Sequence, residues 1–252
     1  MKTIHGISAS TGAAVGAFYL MPTPITKPES TPLDLNQEVE IANLHRAVKI
    51  VSDQLLERAE RAIGEAQEIL YASSDIAQDS ALLSTAESSI HKGNSAAVAI
   101  WEASEVFAQL LVEAGGYLAE RASDVSNIRD RIACVLTGVD YPEIPRLAEP
   151  FILIARDLSP ADTIDLTPDQ VIAIITEEGG PTSHTAIIAR TLGIPAIVAC
   201  RGVLLAAKQY KGRKVGVDAR EGTAIFDPNE EIIKAAIEKA FGNEWSSKIV
   251  FT

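Results

Sequence analysis

The sequence predicts an α/β domain interrupted by an inserted antiparallel four-helix bundle, and three observations predict it. Acidic residues outnumber basic ones 34 to 22, a formal charge of −12, yet Leu33 to Pro145 alone holds 19 acidic and 8 basic residues. That same stretch is poor in proline and repeats its apolar residues every three or four positions, the helical period. The flanks carry short β-branched runs broken by glycine and proline, the pattern of strands. Charge and periodicity change at the same two places. They divide the chain into 1–30 with 146–230 as one discontinuous α/β domain, 31–145 as an inserted helical domain, and 231–252 as a closing helix.

Within the insert, Asp34 is placed to cap a first helix, with Gln37 three residues on. Leu44, Val48, Val51, Leu55, Ala59, Ala62, Ala66 and Ile69 then form one apolar stripe along a helix of about 35 residues, with Gly64 marking a kink. A second helix runs from Asp79 to His91 and stops at Gly93-Asn94. A third covers Ser95 to Glu113 and stops at Gly115-Gly116. The fourth carries Leu118, Val125, Ile128, Ile132 and Val135 and ends at Gly138. Short joints make neighbouring helices antiparallel.

The flanks supply the sheet. Phe151–Ile154, Val171–Ile175 and Ile194–Val198 are short apolar runs suited to strands buried on both faces. Lys214–Asp218 and Thr223–Phe226 pair as a hairpin. Gly6, Gly12 and Gly16 mark an N-terminal strand with a tight bend. Ser159-Pro160 opens a short helix, and a last helix after Pro228 carries Ile232, Ile233, Ala236 and Ala240.

Composition narrows the function. An apolar content of 47% with 22% charged residues is that of a globular chain. The acidic balance argues against nucleic acid, whose phosphates need a basic face. No apolar run approaches the roughly 20 residues that cross a bilayer, and no signal-peptide pattern opens the chain, so a cytoplasmic protein with no membrane partner is expected. His5, His45, His91, His184, Cys134 and Cys200 lack ligand spacing, so no metal site is expected. Gly6 to Gly16 lacks the ending of a Walker loop.

Glu177-Glu178-Gly179-Gly180-Pro181-Thr182-Ser183-His184-Thr185-Ala186 is the most informative stretch. Gly179 and Gly180 let the backbone approach a ligand, and Thr182 or Ser183 caps a helix whose first turn holds His184. A helix N-terminus favours anions, and a neutral imidazole is nucleophilic at pH 7. One location therefore serves both attack on a phosphoryl group and stabilisation of the product. On the residues alone, a histidine packed at a strand–helix corner fits as well. Thr163, near the start of the short helix, either fixes the His184 ring by a hydrogen bond or is an ordinary helix-start threonine. The acidic insert is either a solvated surface or a face for a basic protein partner.

Gly179 to Arg190 resembles the phosphohistidine motif of enzyme I of the bacterial phosphoenolpyruvate:sugar phosphotransferase system. The dikinase and phosphoenolpyruvate synthase domains that share this motif are the alternative. Gly6-Ile7-Ser8-Ala9-Ser10-Thr11-Gly12, Glu120 to Arg131 and Leu158 to Thr163 are similar to further enzyme I segments, in the family's order. The resemblance implies a swivelling β/β/α phosphohistidine domain. In it His184 takes a phosphoryl group on Nε2 from phosphoenolpyruvate bound in a C-terminal barrel and passes it to the carrier HPr. It implies Thr163 as the hydrogen-bond partner of His184, and Arg121, Glu65, Glu68, Ile76 and Leu82 on an HPr-docking face. Three departures stand out: Pro181 where many members have arginine, Ser73 near the place of a histidine, and an end at Thr252 before any barrel. The chain is accordingly expected to be the N-terminal part of a longer enzyme, holding no cofactor of its own while the missing barrel uses Mg2+.

Overall fold

The computed structural model describes residues 1–29, 36–164, 166–229 and 231. The chain falls into two compact units, Met1–Pro22 with the residues from Glu143 on, and Thr23–Pro142.

The first unit contains β1 (Lys2–His5), β2 (Ile7–Ser10), β3 (Ala13–Leu20), β4 (Phe151–Ala155), β5 (Val171–Thr176), β6 (Ala196–Val198), β7 (Lys214–Asp218) and β8 (Thr223–Phe226). They form one eight-stranded sheet in the order β1-β8-β7-β3-β4-β5-β6-β2. β3, β4, β5 and β6 run parallel, and the strands beyond them pair antiparallel. All five residues of β4 are buried, as its unbroken apolar sequence requires of a strand covered on both faces. Its side chains alternate between two cores. Ile152 and Ile154 join Ile175, Ile197, Val217 and Phe226 on one face. Phe151, Leu153 and Ala155 join Ile174, Val198, Ala186 and Ala189 on the other, where α8 (His184–Leu192) packs. Strand, strand and helix are thus layered as expected.

β1 and β2 lie at opposite ends of the strand order, yet only Gly6 separates them. The sheet must therefore bend round until its two ends meet. At that seam Gly6 N–H donates to Gly222 O at 2.9 Å, and a Cβ on Gly6 would stand 2.6 Å from both Val198 O and Ile197 Cγ2. Only glycine fits. The expected single N-terminal strand is in fact three, because each glycine turn sends the chain to a different neighbour. The third apolar run is strand only over Ala196–Val198, since Ile194 N–H closes the end of α8 by bonding Ala189 O. A helix α9 (Val203–Gln209) was not anticipated. The unit also holds α7 (Pro160–Thr163).

Among its described residues the second unit has six helical segments rather than the four expected: α1 (Gln37–Arg61), α2 (Glu65–Ala77), α3 (Ser80–His91), α4 (Ala96–Ala114), α5 (Gly116–Glu120) and α6 (Ala122–Thr137). The long first helix breaks outright. Ala62 is extended and Gly64 has φ +66, leaving Ile63 91% exposed between two helices. The fourth divides at Arg121. Asn36 caps α1 by accepting from Glu38 and Val39 N–H; Asp34 and the closing helix lie outside the described residues, except Glu231. Asp79 caps α3 through bonds from Ala81 and Leu82 N–H.

The division between units falls earlier than the 30/31 and 145/146 boundaries read from composition. Residues 23–29 belong with the helices, where Lys27 pairs with Glu105 at 2.8 Å and Pro24 O faces Cys134 Sγ at 3.8 Å. Tyr141 lies under Arg131, 4.0 Å from the guanidinium, and its hydroxyl accepts from Asn127. Hydrogen bonds from Lys27 and then Trp101 hold the Glu105 carboxyl below its ordinary range, partly opposed by desolvation. Burial pushes the Cys134 thiol up to about 11 and Cys200 up to about 12. Among the described residues no helix is long and apolar enough to cross a membrane.

Candidate functional site

β4 and β5 are parallel neighbours and end together, so their carboxyl-terminal loops share one edge of the sheet, the usual place for ligands in such folds. After β4, residues 156–159 lead into α7. Ser159 and Asp162 close that turn as a capping box, with Ser159 N–H donating to Asp162 Oδ2 at 2.9 Å. After β5, residues 177–183 lead into α8. The two loops are tied together: Glu177 N–H donates to Ala155 O, Glu178 N–H to Arg156 O, and Arg156 Nε to Glu178 Oε1 at 2.8 Å. The buried Thr185 hydroxyl faces Leu158 O at 3.4 Å.

Gly179 turns the loop with φ +91, where a side chain is disfavoured. Gly180 O accepts from Ser183 N–H at 3.0 Å. Ser183 is the N-cap of α8, its hydroxyl accepting from Ala186 N–H. His184 is therefore the first helical residue, partly exposed, where the helix presents N–H groups and partial positive charge. Gly179 and Thr182 are exposed beside it. Thr163 is 3% exposed, on α7, which packs against α8. Its hydroxyl donates to Pro160 O at 3.0 Å, so towards a ring nitrogen its oxygen can only accept.

Sequence reasoning gave no role to Arg190. It stands in the last turn of α8, yet its Nη1 donates to Ala9 O at 2.8 Å and to Pro181 O at 3.1 Å. No sequence signal points to this, because Ala9 is brought there by the sheet from 181 residues away.

In the helical unit, Glu65 opens α2, Glu68 is exposed, and Ile76 is half-buried. Leu82 is 1% exposed in the helical core and offers no surface to a partner, a correction to its place on the docking face. Arg121 sits at the joint of α5 and α6, with Nη1 3.6 Å from the buried carboxylate of Asp124. Leu110, Val112 and Leu118, close by in sequence at the end of α4 and on α5, are about half exposed, an apolar group absent from the expected list. Ser73 is buried, its hydroxyl donating to Ile69 O. Among the described residues no group of three or more His, Cys, Asp or Glu is arranged to hold a metal ion.

The segment that carries His184 and most of the helical unit fall within families of PEP-utilising enzymes. Residues 147–222 match the mobile domain of PEP-utilising enzymes, and residues 5–121 match the N-terminal domain of PEP-utilising enzymes. The solution structure of an enzyme I protein (nEIt) superposes with a TM-score of 0.68 at 33% identity, covering 94% of this chain and 98% of that one. The chain belongs to the enzyme I family. Phosphoenolpyruvate-protein phosphotransferase of Streptomyces coelicolor is 41% identical over 230 residues, and that of Geobacillus stearothermophilus 32% over 260. These alignments cover 91% and 98% of this chain but only 41% and 44% of the relatives. The chain thus spans less than half the length of those relatives. The N-terminal domain of Enzyme 1 – Nitrogen shares the fold, with a TM-score of 0.55 at 24% identity.

Proposed function

We propose that this chain carries a phosphoryl group on His184 between phosphoenolpyruvate, bound by a separate barrel domain of the same enzyme, and a histidine of the carrier HPr in the cytoplasm. The observation that carries the reading is His184 at the first position of α8, behind a glycine turn and a serine cap. Thr163 Oγ1, its own proton committed to Pro160 O, accepts the Nδ1 proton of His184. That sets the tautomer with the lone pair on Nε2, the nitrogen that attacks phosphorus. The P–Nε2 bond forms as the P–O bond of phosphoenolpyruvate breaks, and the electron pair leaves with the enolate oxygen. In the second step the P–Nε2 bond breaks as a P–N bond to the carrier histidine forms. Helix-end N–H groups stabilise the phosphoryl oxygens throughout, so transfer depends on positioning and electrostatics. Mg2+ is assigned to the barrel.

HPr docks on the helical unit in this reading. Glu65, Glu68 and Arg121 supply the polar contacts, and Ile76 with Leu110 and Leu118 the apolar ones; the unit's acidity speeds encounter with a basic partner. Incubation with phosphorylated HPr should add the mass of one phosphoryl group to His184, acid-labile and base-stable. His184→Ala should take up none. Full labelling of that variant would overturn the assignment.

A further inference from the structure

The strand β2 is irregular at one residue. Ile7 and Ser8 face Val198 and Ile197 of β6, but Ser10 faces Ala196, so Ala9 is an extra residue with no partner across the ladder. A bulge of this kind re-aims the backbone and is often placed beside functional sites. Here the carbonyl it re-aims accepts from Arg190 Nη1 at 2.8 Å, and the same nitrogen donates to Pro181 O at 3.1 Å. An arginine in the last turn of α8 reaches a residue that precedes the helix because helical side chains lean towards the N-terminus. Pro181 has no N–H of its own to anchor it, and it is exposed together with Thr182.

Resting on the phosphoryl-transfer reading of His184, we infer that Arg190 is a positioning residue: the Ala9 bulge and Arg190 together clamp the turn at residues 179–183 so that the His184 ring is held for transfer. One guanidinium nitrogen bridges two main-chain carbonyls, one on the sheet edge and one three residues before the histidine. The clamp acts through the turn, with no requirement that Arg190 touch the phosphoryl group. Misplacing a reacting group by about 1 Å costs on the order of 100-fold in rate, which sets the expected size of the effect.

The experiment compares the 252-residue chain with its Arg190→Ala and Arg190→Lys variants. Single-turnover phosphoryl uptake from phosphorylated HPr is measured alongside amide hydrogen exchange. Arg190→Ala should slow uptake about 30- to 100-fold and raise exchange at residues 182–185 at least tenfold, with exchange in β4, β5 and the helical unit unchanged. Guanidinium ion at low millimolar concentration should restore part of the uptake rate in Arg190→Ala. A role in general stability would show no such rescue, since at that concentration the ion changes folding stability negligibly. Arg190→Lys, which keeps the charge with shorter reach, should fall between the two. Unchanged exchange at residues 182–185 in Arg190→Ala overturns the clamp even if uptake is slow. Looser exchange with uptake at the full rate overturns its role in transfer while leaving His184 as acceptor. If the unaltered chain takes up nothing, the His184 reading fails, and the exchange data still decide whether the clamp exists.

Discussion

In the α/β unit the central strands β4, β5 and β6 are almost wholly buried, and the candidate site lies at the edge where β4 and β5 end. The helical unit shows the opposite distribution. Its interior admits polar residues, Ser52, Ser74, Ser104, Asp124 and Arg131 among them, and the unit carries most of the chain's excess negative charge together with half-exposed leucines and valines. Lys49–Asp53, Arg61–Glu57 and Lys27–Glu105 on its surface are largely solvated, and such pairs contribute little to stability, whereas Arg121–Asp124 and Arg129–Asp130 are mostly buried. The contrast teaches where each unit is specialised. In the proposed reading the sheet places the His184 ring, and the charged helical surface serves recognition.

The sharpest way to break that division is His184→Ala. Uptake of phosphate should vanish while the affinity for HPr, measured by calorimetry, stays within about twofold, because an equal change in both would merge the two roles. Phe226→Ala comes next. It empties a site with no exposure in the α/β core and should cost about 3–5 kcal/mol, seen as faster hydrogen exchange in the strands with α1–α6 unaffected. Arg121→Ala tests the other side. HPr affinity should fall about tenfold or more, while phosphorylation of His184 by small-molecule phosphoramidate proceeds at the unaltered rate. Asp79→Ala removes the cap of α3 and should cost the helical unit about 1 kcal/mol in urea unfolding.

The smallest effect sharpens the electrostatics. Because the folded Glu105 carboxyl titrates below its ordinary value of 4.5, its pairing stabilises fully above that pH and is lost as pH falls through the depressed value. Glu105→Gln should be less stable than the unaltered chain by a few tenths of a kcal/mol near neutrality, and the difference should disappear in acid.

Strand content and the His184 corner were legible because they are local. Unbroken apolar runs such as residues 151–154 admit few alternatives, and Gly-Gly followed by Thr-Ser-His spells a turn, a cap and a helix start within a few residues. The hairpin of β7 and β8 was legible for the same reason. What the sequence concealed depends on distant pieces meeting. The N-terminal segment reads as one bent strand, because nothing in its residues says that Lys2–His5 pairs with β8 while Ile7–Ser10 pairs with β6. The family resemblance alone places Leu82 on the docking face, and only the packing of the other helices around it shows it inside. The break at residues 62–64 had a visible cause in Gly64, but an intact apolar stripe through Ala66 and Ile69 outweighed it.

The seam at Gly6 has a consequence for how the molecule is made. Residues 2–10 are synthesised well before their partners in β6 and β8, Ala196–Val198 and Thr223–Phe226. The helical insert, whose contacts are closer in sequence, is complete by Thr137 and can fold while the rest is still being translated. Strands β1 and β2 must wait without their neighbours through more than 180 residues of synthesis. Their brevity and the glycine between them keep that orphaned interval from presenting a long sticky edge to other nascent chains.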